Sequence, residues 1–254
     1  MATITRDTNQ IDRNNALDNL FARVFVLNWE VIAWTAILVL AIFTRFFMLG
    51  DRVMSHDESL HTVFSNNLFE RGDYRHDPMM HGPILFHFTA LSYFLFGVSD
   101  FSARIYPAVL GVMIVMFPML FRRWIGTKGA VLAGIMLLAS PLMMYYSRYI
   151  RHDMPSILSG MIMFYASMMY LSGPENQRRR AHWLYIIAAA MLWNLGSKET
   201  AFIYIAIFGS FLTLYWLVRV AQYYFNIDGR MLFEMLIIGF LLAGVASLFM
   251  IMVL

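Results

Sequence analysis

The sequence predicts an all-helical integral membrane protein, and three observations carry that reading. Of 254 residues, 60% are hydrophobic and only 14% charged, where a soluble domain is near half apolar and a quarter charged. The apolar residues gather in long runs close to the roughly 20 residues, about 17 at the least, that a spanning helix needs. The basic residues sit in the loops that flank those runs. The surplus apolar surface has to face lipid. Sixteen per cent aromatics and 21 Met agree with this, as weaker signs.

Residues 1–15 are polar. Leu17, Leu20, Phe21, Val24 and Phe25 then recur at helical spacing, with Arg13, Asp18 and Arg23 largely elsewhere on the wheel. This predicts a short helix lying in the bilayer interface. Residues 1–29 are therefore expected as a cytoplasmic polar arm and residues 30–254 as the membrane domain. About seven spans are expected: Val31–Leu49, Ile105–Phe121, Gly129–Tyr146, Met154–Leu171, Trp183–Gly196, Thr200–Val218 and Met231–Leu254. Trp183–Gly196 is short. Ile84–Val98 is apolar but also short and carries His87, so it is expected to lie along the membrane. Leu60, Val63, Phe64 and Leu68 mark a second interfacial helix in the same loop, 50–104.

Basic residues set the orientation. Arg122, Arg123 and Lys128, then Arg178 to Arg180, then Arg219 and Arg230 abut the spans on one side, with Arg6, Arg13 and Arg23 of the arm. That side is expected to be cytoplasmic, which makes the large loop 50–104 extracytoplasmic. The first 28 residues are polar, so no cleavable signal peptide is expected. With no Cys there is no disulfide and no thiol chemistry. The net charge of +3 is scattered, which argues against nucleic acid as a partner.

The extracytoplasmic side is the chemically varied one. Six of the seven His are expected there, with Asp51, Asp57, Glu58, Asp73, Asp77, Asp100, Asp153 and Glu199. Each motif also has a plain structural reading. Ser55 with Glu58 three residues on is a capping box, with Asp57 in a favourable first turn. The functional alternative makes Asp57 a general base, which must lie within hydrogen-bond reach of the proton it takes. Asp77-Pro78-Met79-Met80-His81-Gly82-Pro83 is a stiffened turn. Asp153-Met154-Pro155 reads as an N-cap with proline in the first turn. Lys198, one of two Lys in the chain, is placed either to snorkel to headgroups or to neutralise a phosphate.

The order of the motifs says more than any one of them. Arg45-Phe46-Phe47-Met48-Leu49-Gly50-Asp51 precedes Asp57-Glu58, then Glu70-Arg71-Gly72-Asp73-Tyr74 and His81-Gly82-Pro83-Ile84-Leu85-Phe86-His87. Ala103-Arg104-Ile105-Tyr106-Pro107-Ala108-Val109-Leu110-Gly111 opens the second span. Ser147-Arg148 through Asp153-Met154-Pro155 and Leu195-Gly196-Ser197-Lys198-Glu199-Thr200 follow. From about residue 40 to 205 this resembles the GT-C membrane glycosyltransferases, in the branch of protein O-mannosyltransferases and lipid A aminoarabinose transferases. The Asp-Glu pair and the Ala-Arg-x-x-Pro-Ala-x-x-Gly run are its most specific parts.

The resemblance implies a GT-C-like bundle and transfer of a sugar from a polyprenyl-phosphate donor to a protein or lipid acceptor on the extracytoplasmic face. It implies Asp57, with Glu58, and Asp153 as catalytic positions. Lys198, Arg148, Arg151, His81 and Arg104 become candidates for holding the substrate. Relatives commonly carry Lys-Pro-Pro-Leu where this chain has His81-Gly82-Pro83-Ile84, so His81 replaces a phosphate-contacting Lys. That departure fits a divergent archaeal and bacterial branch.

Two other classes compete. One is a non-catalytic GT-C-like subunit or scaffold of a larger membrane complex, associated with flipping lipid-linked sugars. His81 in place of the Lys, and the chain's shortness beside its relatives, are expected to favour it. The other is a His-rich metal site or transporter, which ranks low because the His spacing matches no compact zinc signature. No span carries a mid-membrane acidic pair either. No cofactor is called for, although a divalent metal stays open, and the expected partners are the lipid-linked sugar, membrane lipids and other membrane subunits.

Overall fold

The computed structural model describes residues 28–74, 80–172 and 181–225, with Glu234, Ile237 and Ile238. The expected helix near residues 16–25, the residues His76 and Asp77, and all but a few positions of the span Met231–Leu254 lie outside the described residues. The chain divides into two compact units, Met1–Glu199 and Thr200–Leu254. Among the described residues there is no strand.

The first unit holds eight α-helices among its described residues. Helix α1, Trp29–Phe46, begins where the Asn28 side chain accepts the Glu30 amide at 3.3 Å. Helices α2, His56–Arg71, and α3, Ile84–Phe96, follow. Helix α4, Asp100–Met116, runs on through a 3-10 turn, Phe117–Phe121, into α5, Arg122–Ala139. Helices α6, Pro141–Ser147, α7, Asp153–Leu171, and α8, His182–Leu195, complete the unit. The second unit contributes α9, Ala201–Phe225, which is apolar along its length. Four helical stretches among the described residues are long and apolar enough to cross a membrane: Trp29–Phe46, Asp100–Ala139, Asp153–Leu171 and Ala201–Tyr224.

The 40-residue stretch Asp100–Ala139 is folded on itself. Gly126 takes φ 72, ψ 162 inside it, a left-handed φ that favours glycine, and the chain reverses there. The contacts give the direction of each leg. Glu30 at the start of α1 pairs with Arg122 at 3.0 Å, while Arg45 at its end bonds the Leu137 carbonyl at 3.3 Å and that of Leu138 at 3.4 Å. Thus α5 runs parallel to α1. Arg104 of α4 bonds the Leu49 carbonyl just past α1 at 3.0 Å, so α4 runs the other way. Arg123 donates to Ser172 and Ser156 to Asn194, which makes α7 antiparallel to both α5 and α8.

Packing follows the same arrangement. Trp34, Ile37 and Ala41 of α1 bury against Val115, Ala130 and Val131. A Cβ on Gly134 would meet the Trp34 ring at 2.9 Å, so only glycine lets α5 come this close to α1. A second cluster joins Leu85 and Tyr93 of α3, Tyr106, Leu110 and Ile114 of α4, Ile150 in the turn before α7, and Met154 and Leu158 at its start. Val39, Ile42, Phe43, Leu132 and Met136 stay exposed on the bundle's flank, as a lipid-facing surface requires.

Two expectations need correction. The segment Gly129–Tyr146 is broken, because Ser140 sits at φ −62, ψ 118 and caps α6 instead. Pro141 causes the break: it lacks an N–H and pushes the residue before it out of the helical region. Asp153 is the first residue of α7 rather than its cap, which is His152 without a side-chain bond. Helix α3, with 13 residues, is about 20 Å long at 1.5 Å per residue, short of a bilayer core. Leu85, Phe86 and Tyr93 are buried and Leu91, Phe94, Leu95 and Phe96 are exposed.

Candidate active site

One end of the first unit collects the candidate site residues. It holds the turn after α1, the start of α2, the loop before α3, the start of α4, the turn between α6 and α7, and the turn after α8. The capping box at Ser55 forms as expected. Ser55 Oγ accepts the Glu58 amide at 3.4 Å, and Glu58 Oε2 accepts the Ser55 amide at 3.2 Å.

Glu58 does far more than cap. It is fully buried and takes Arg104 Nε at 3.0 Å and Nη2 at 3.2 Å. Arg52 Nη2 reaches it at 2.8 Å and the Ile150 amide at 3.3 Å. Arg104 is itself fully buried, and its Nη1 donates to the carbonyls of Leu49 and Arg52 at 3.0 and 2.9 Å. This knot ties α2, α4 and the turns after α1 and before α7 to one another. A buried two-pronged Arg–carboxylate pair survives only with every remaining donor and acceptor met. Glu58, expected as a catalytic position, and Arg104, expected to hold substrate, are both buried in this knot.

Asp57, the next residue back, is exposed and takes no hydrogen bond among the described residues. One residue along a helix is about 100° around it, and that rotation separates the two carboxylates. One turn on, His61 is 7% exposed, and burial pushes its imidazole down to about 4. His61 meets His152 edge-on with ring centroids 5.0 Å apart, and His152 meets His81 at 5.2 Å. His152 is buried, and burial pushes it down to about 3. Its Nε2 donates to the Gly82 carbonyl at 3.0 Å. Among the described residues no group of three or more His, Cys, Asp or Glu could hold a metal ion.

Asp153 gathers cations. Its Oδ1 takes Lys198 Nζ at 2.6 Å and its Oδ2 lies 3.4 Å from Arg151 Nε, with all three side chains partly exposed. The turn after α8 that carries Lys198 is fastened to the loop before α3. The Gly82 amide donates to the Ser197 carbonyl at 3.2 Å and that of Ile84 to Gly196 at 3.1 Å. A Cβ on Gly82 would lie 2.0 Å from the Gly196 oxygen. Only glycine fits, and the approach puts His81 beside Glu199, with Nδ1 and Oε2 2.6 Å apart.

The remaining candidate, Arg148, spends its guanidinium on α1. Nη1 and Nη2 bond the carbonyls of Thr44 and Met48 at 2.9 and 3.1 Å, closing that helix end. Sequence reasoning did not foresee three sets of contacts at this end. Arg52 rests 5.5 and 5.1 Å from the rings of Tyr145 and Tyr149, Ser55 bonds the Tyr149 hydroxyl, and Glu199 joins His81. No pattern in the sequence pairs residues so far apart.

Apolar helices of bilayer length, with most of the buried and clustered ionisable side chains at one end of the first unit, define a polytopic membrane protein. The family model for dolichyl-phosphate-mannose-protein mannosyltransferase matches residues 80–241, and the chain belongs to that family. A crystal structure of ArnT from Cupriavidus metallidurans bound to undecaprenyl phosphate matches with a TM-score of 0.62 at 22% identity, covering 87% of this chain and 42% of that one. The same protein in the apo state matches with a TM-score of 0.60 at 23% identity, over 80% and 39%. The chain thus spans about two-fifths of the solved structures it resembles, and it shares their GT-C fold. No curated protein matches it.

Proposed function

We propose that this chain carries the transfer site of a membrane glycosyltransferase. The donor is a polyprenyl-phosphate sugar, and the acceptor is a hydroxyl on a protein or lipid at the extracytoplasmic surface. The observation that carries the reading is an exposed, unbonded Asp57 at the same end of the bundle as the partly exposed Lys198–Asp153–Arg151 cluster. The acceptor hydroxyl attacks C1 of the sugar, Asp57 takes its proton, and the C1–O bond breaks towards the lipid phosphate. Lys198 and Arg151, held by Asp153, stabilise the charge that gathers on that phosphate. The ArnT structure bound to undecaprenyl phosphate supports a lipid phosphate as ligand. Arg122, Arg123 and Lys128 at the opposite end support an extracytoplasmic site.

The test is sugar transfer by the purified chain in lipid from a series of polyprenyl-phosphate sugars. Asp57→Asn keeps the side chain's size and its fit to a helix start. It should fold and lose on the order of 100- to 10,000-fold in rate, the usual contribution of a general base. Comparable turnover by Asp57→Asn would make Asp57 a first-turn residue only. No transfer by the wild type from any donor would favour the non-catalytic subunit.

A further inference from the structure

We propose that the end of the first unit opposite the candidate site binds one phospholipid whose headgroup joins a phosphate to a primary ammonium. The site is a cleft between α1 and the stretch where α4 runs into α5. It is independent of the function proposed above.

The cleft has a volume of about 370 Å3, within the range of about 300–1,000 Å3 typical of small-ligand sites. One apolar wall follows from the sequence of α1. Val31, Trp34 and Leu38 recur at i, i+3 and i+7, so they share a face of the helix. Met116, the last residue of α4, and Met119 of the 3-10 turn line the other side. Unbranched Met side chains suit an irregular hydrocarbon surface. From Val31 to Leu38 the groove runs about 10 Å at 1.5 Å per residue. That is most of the roughly 15 Å depth of one leaflet's hydrocarbon. Val31, Leu38 and Met119 stay exposed, and α1 is long and apolar enough to span. The groove therefore opens onto lipid, where an acyl chain can fill it.

The mouth carries both signs of charge. Glu30 Oε1 and Arg122 Nη1 lie 3.0 Å apart, and both residues line the cleft. Among the described residues this is the one side-chain bond that either makes. Glu30 Oε2 and the other guanidinium N–H groups are left to bind. The Arg122 side chain is 55% exposed and that of Glu30 17%. A phosphate can take two parallel N–H bonds from an Arg, while an ammonium donates to Glu30 Oε2. The ion pair is neutral as a whole, so a zwitterionic headgroup laid against it is attracted at both ends. An anionic headgroup without the ammonium is repelled by Glu30. A trimethylated headgroup has no N–H to give. Polar pockets between spans recognise particular lipid headgroups in this way.

Trp34 is the third support. It lines the cleft, is 5% exposed, and its Nε1 finds no partner among the described residues. A buried donor without an acceptor bears its full desolvation cost. Trp34 stands one turn along α1 from Glu30, between the charged mouth and Leu38. The ester oxygens of a phospholipid stand at that level, between headgroup and chains, and supply the missing acceptor.

The experiment titrates the delipidated full chain in detergent with phosphatidylethanolamine, phosphatidylcholine and phosphatidylglycerol of identical acyl chains. Native mass spectrometry counts the bound lipid. Wild type should bind one phosphatidylethanolamine about tenfold more tightly than either of the others, the worth of one charge-assisted hydrogen bond. Arg122→Gln should lower that affinity at least as far, and Arg122→Lys should restore most of it. Glu30→Gln should abolish the preference over phosphatidylglycerol, because the repulsion goes with the charge. Leu38→Trp fills the groove and should weaken all three lipids with the ion pair intact. Lys128 is an exposed cation outside the cleft, so Lys128→Gln should change nothing. Equal affinity of wild type for the three lipids would overturn the proposal, as would a preference that survives both Glu30→Gln and Leu38→Trp. Tighter binding of phosphatidylglycerol, lost in Lys128→Gln, would overturn it in favour of general attraction to basic residues.

Discussion

Asp57 and Glu58 are the same chemistry one residue apart, and the fold uses them oppositely. Glu58 is fully buried among Arg104, Arg52 and two backbone amides, while Asp57 is exposed and unbonded. The first ties four segments into one frame. The second is left able to accept a proton. The pair Arg104 and Lys198 repeats the contrast among cations: one is sealed against Glu58, the other is partly open on Asp153. A charge that is fully committed holds the fold, and in the proposed function a charge with room beside it does the chemistry.

Breaking the frame should have the largest effect on stability. Arg104→Ala leaves Glu58 buried without its main partner, a change that typically costs about 3–5 kcal/mol. Thermal unfolding in detergent should show a large drop in Tm. Asp57→Asn should leave Tm within a degree or two, since exposed substitutions usually stay within about 0.5 kcal/mol. Equal shifts for the two variants would erase the distinction drawn between them.

Acid should weaken the same region. His61 and His152 are bases whose folded values, about 4 and about 3, lie below the unfolded 6.5. Between those values the unfolded chain binds more protons, so stability is full above about pH 6.5. It is lost as pH falls towards 4 and then 3, by on the order of a few kcal/mol in all. Tm measured against pH should slope down on the acid side, and His152→Gln should flatten that slope. A wild-type Tm level down to pH 4 would count against two buried neutral imidazoles.

Gly82→Ala sharpens the link between the loop and Lys198. The added methyl meets the Gly196 oxygen at 2.0 Å, so the loop must lift away. Overpacking of this kind costs about 1–3 kcal/mol. In the proposed function transfer should fall by more than stability does, because the turn that carries Lys198 is fastened to this loop. Unchanged kcat would mean that the loop's seat is immaterial to the site. Arg52→Ala should cost far less than Arg104→Ala. Its side chain is 43% exposed, and exposed pairs contribute about 0.2–1 kcal/mol. A loss comparable to that of Arg104→Ala would move Arg52 into the frame.

Much of this was legible in the chain. The long apolar runs announced spanning helices, and α1, α4, α7 and α9 lie where the runs do. Ser55 and Glu58 announced their capping box, because both partners lie within one helical turn. The motif order pointed to the family that the match over residues 80–241 shows. The break at Ser140 was available in Pro141, but the apolar run on either side concealed it.

What the sequence by itself determined is local or periodic: membrane residence, the type of the helices and the caps that start them. These depend on burial of apolar runs and on contacts within a few residues, and both are written in order along the chain. Which charges are sealed and which are open was decided only by the tertiary structure. Arg104 is 46 residues from Glu58, His81 is 118 from Glu199, and Lys198 is 45 from Asp153. The energy of an ion depends on how much water and how many partners surround it, and that environment exists only once distant segments have packed together.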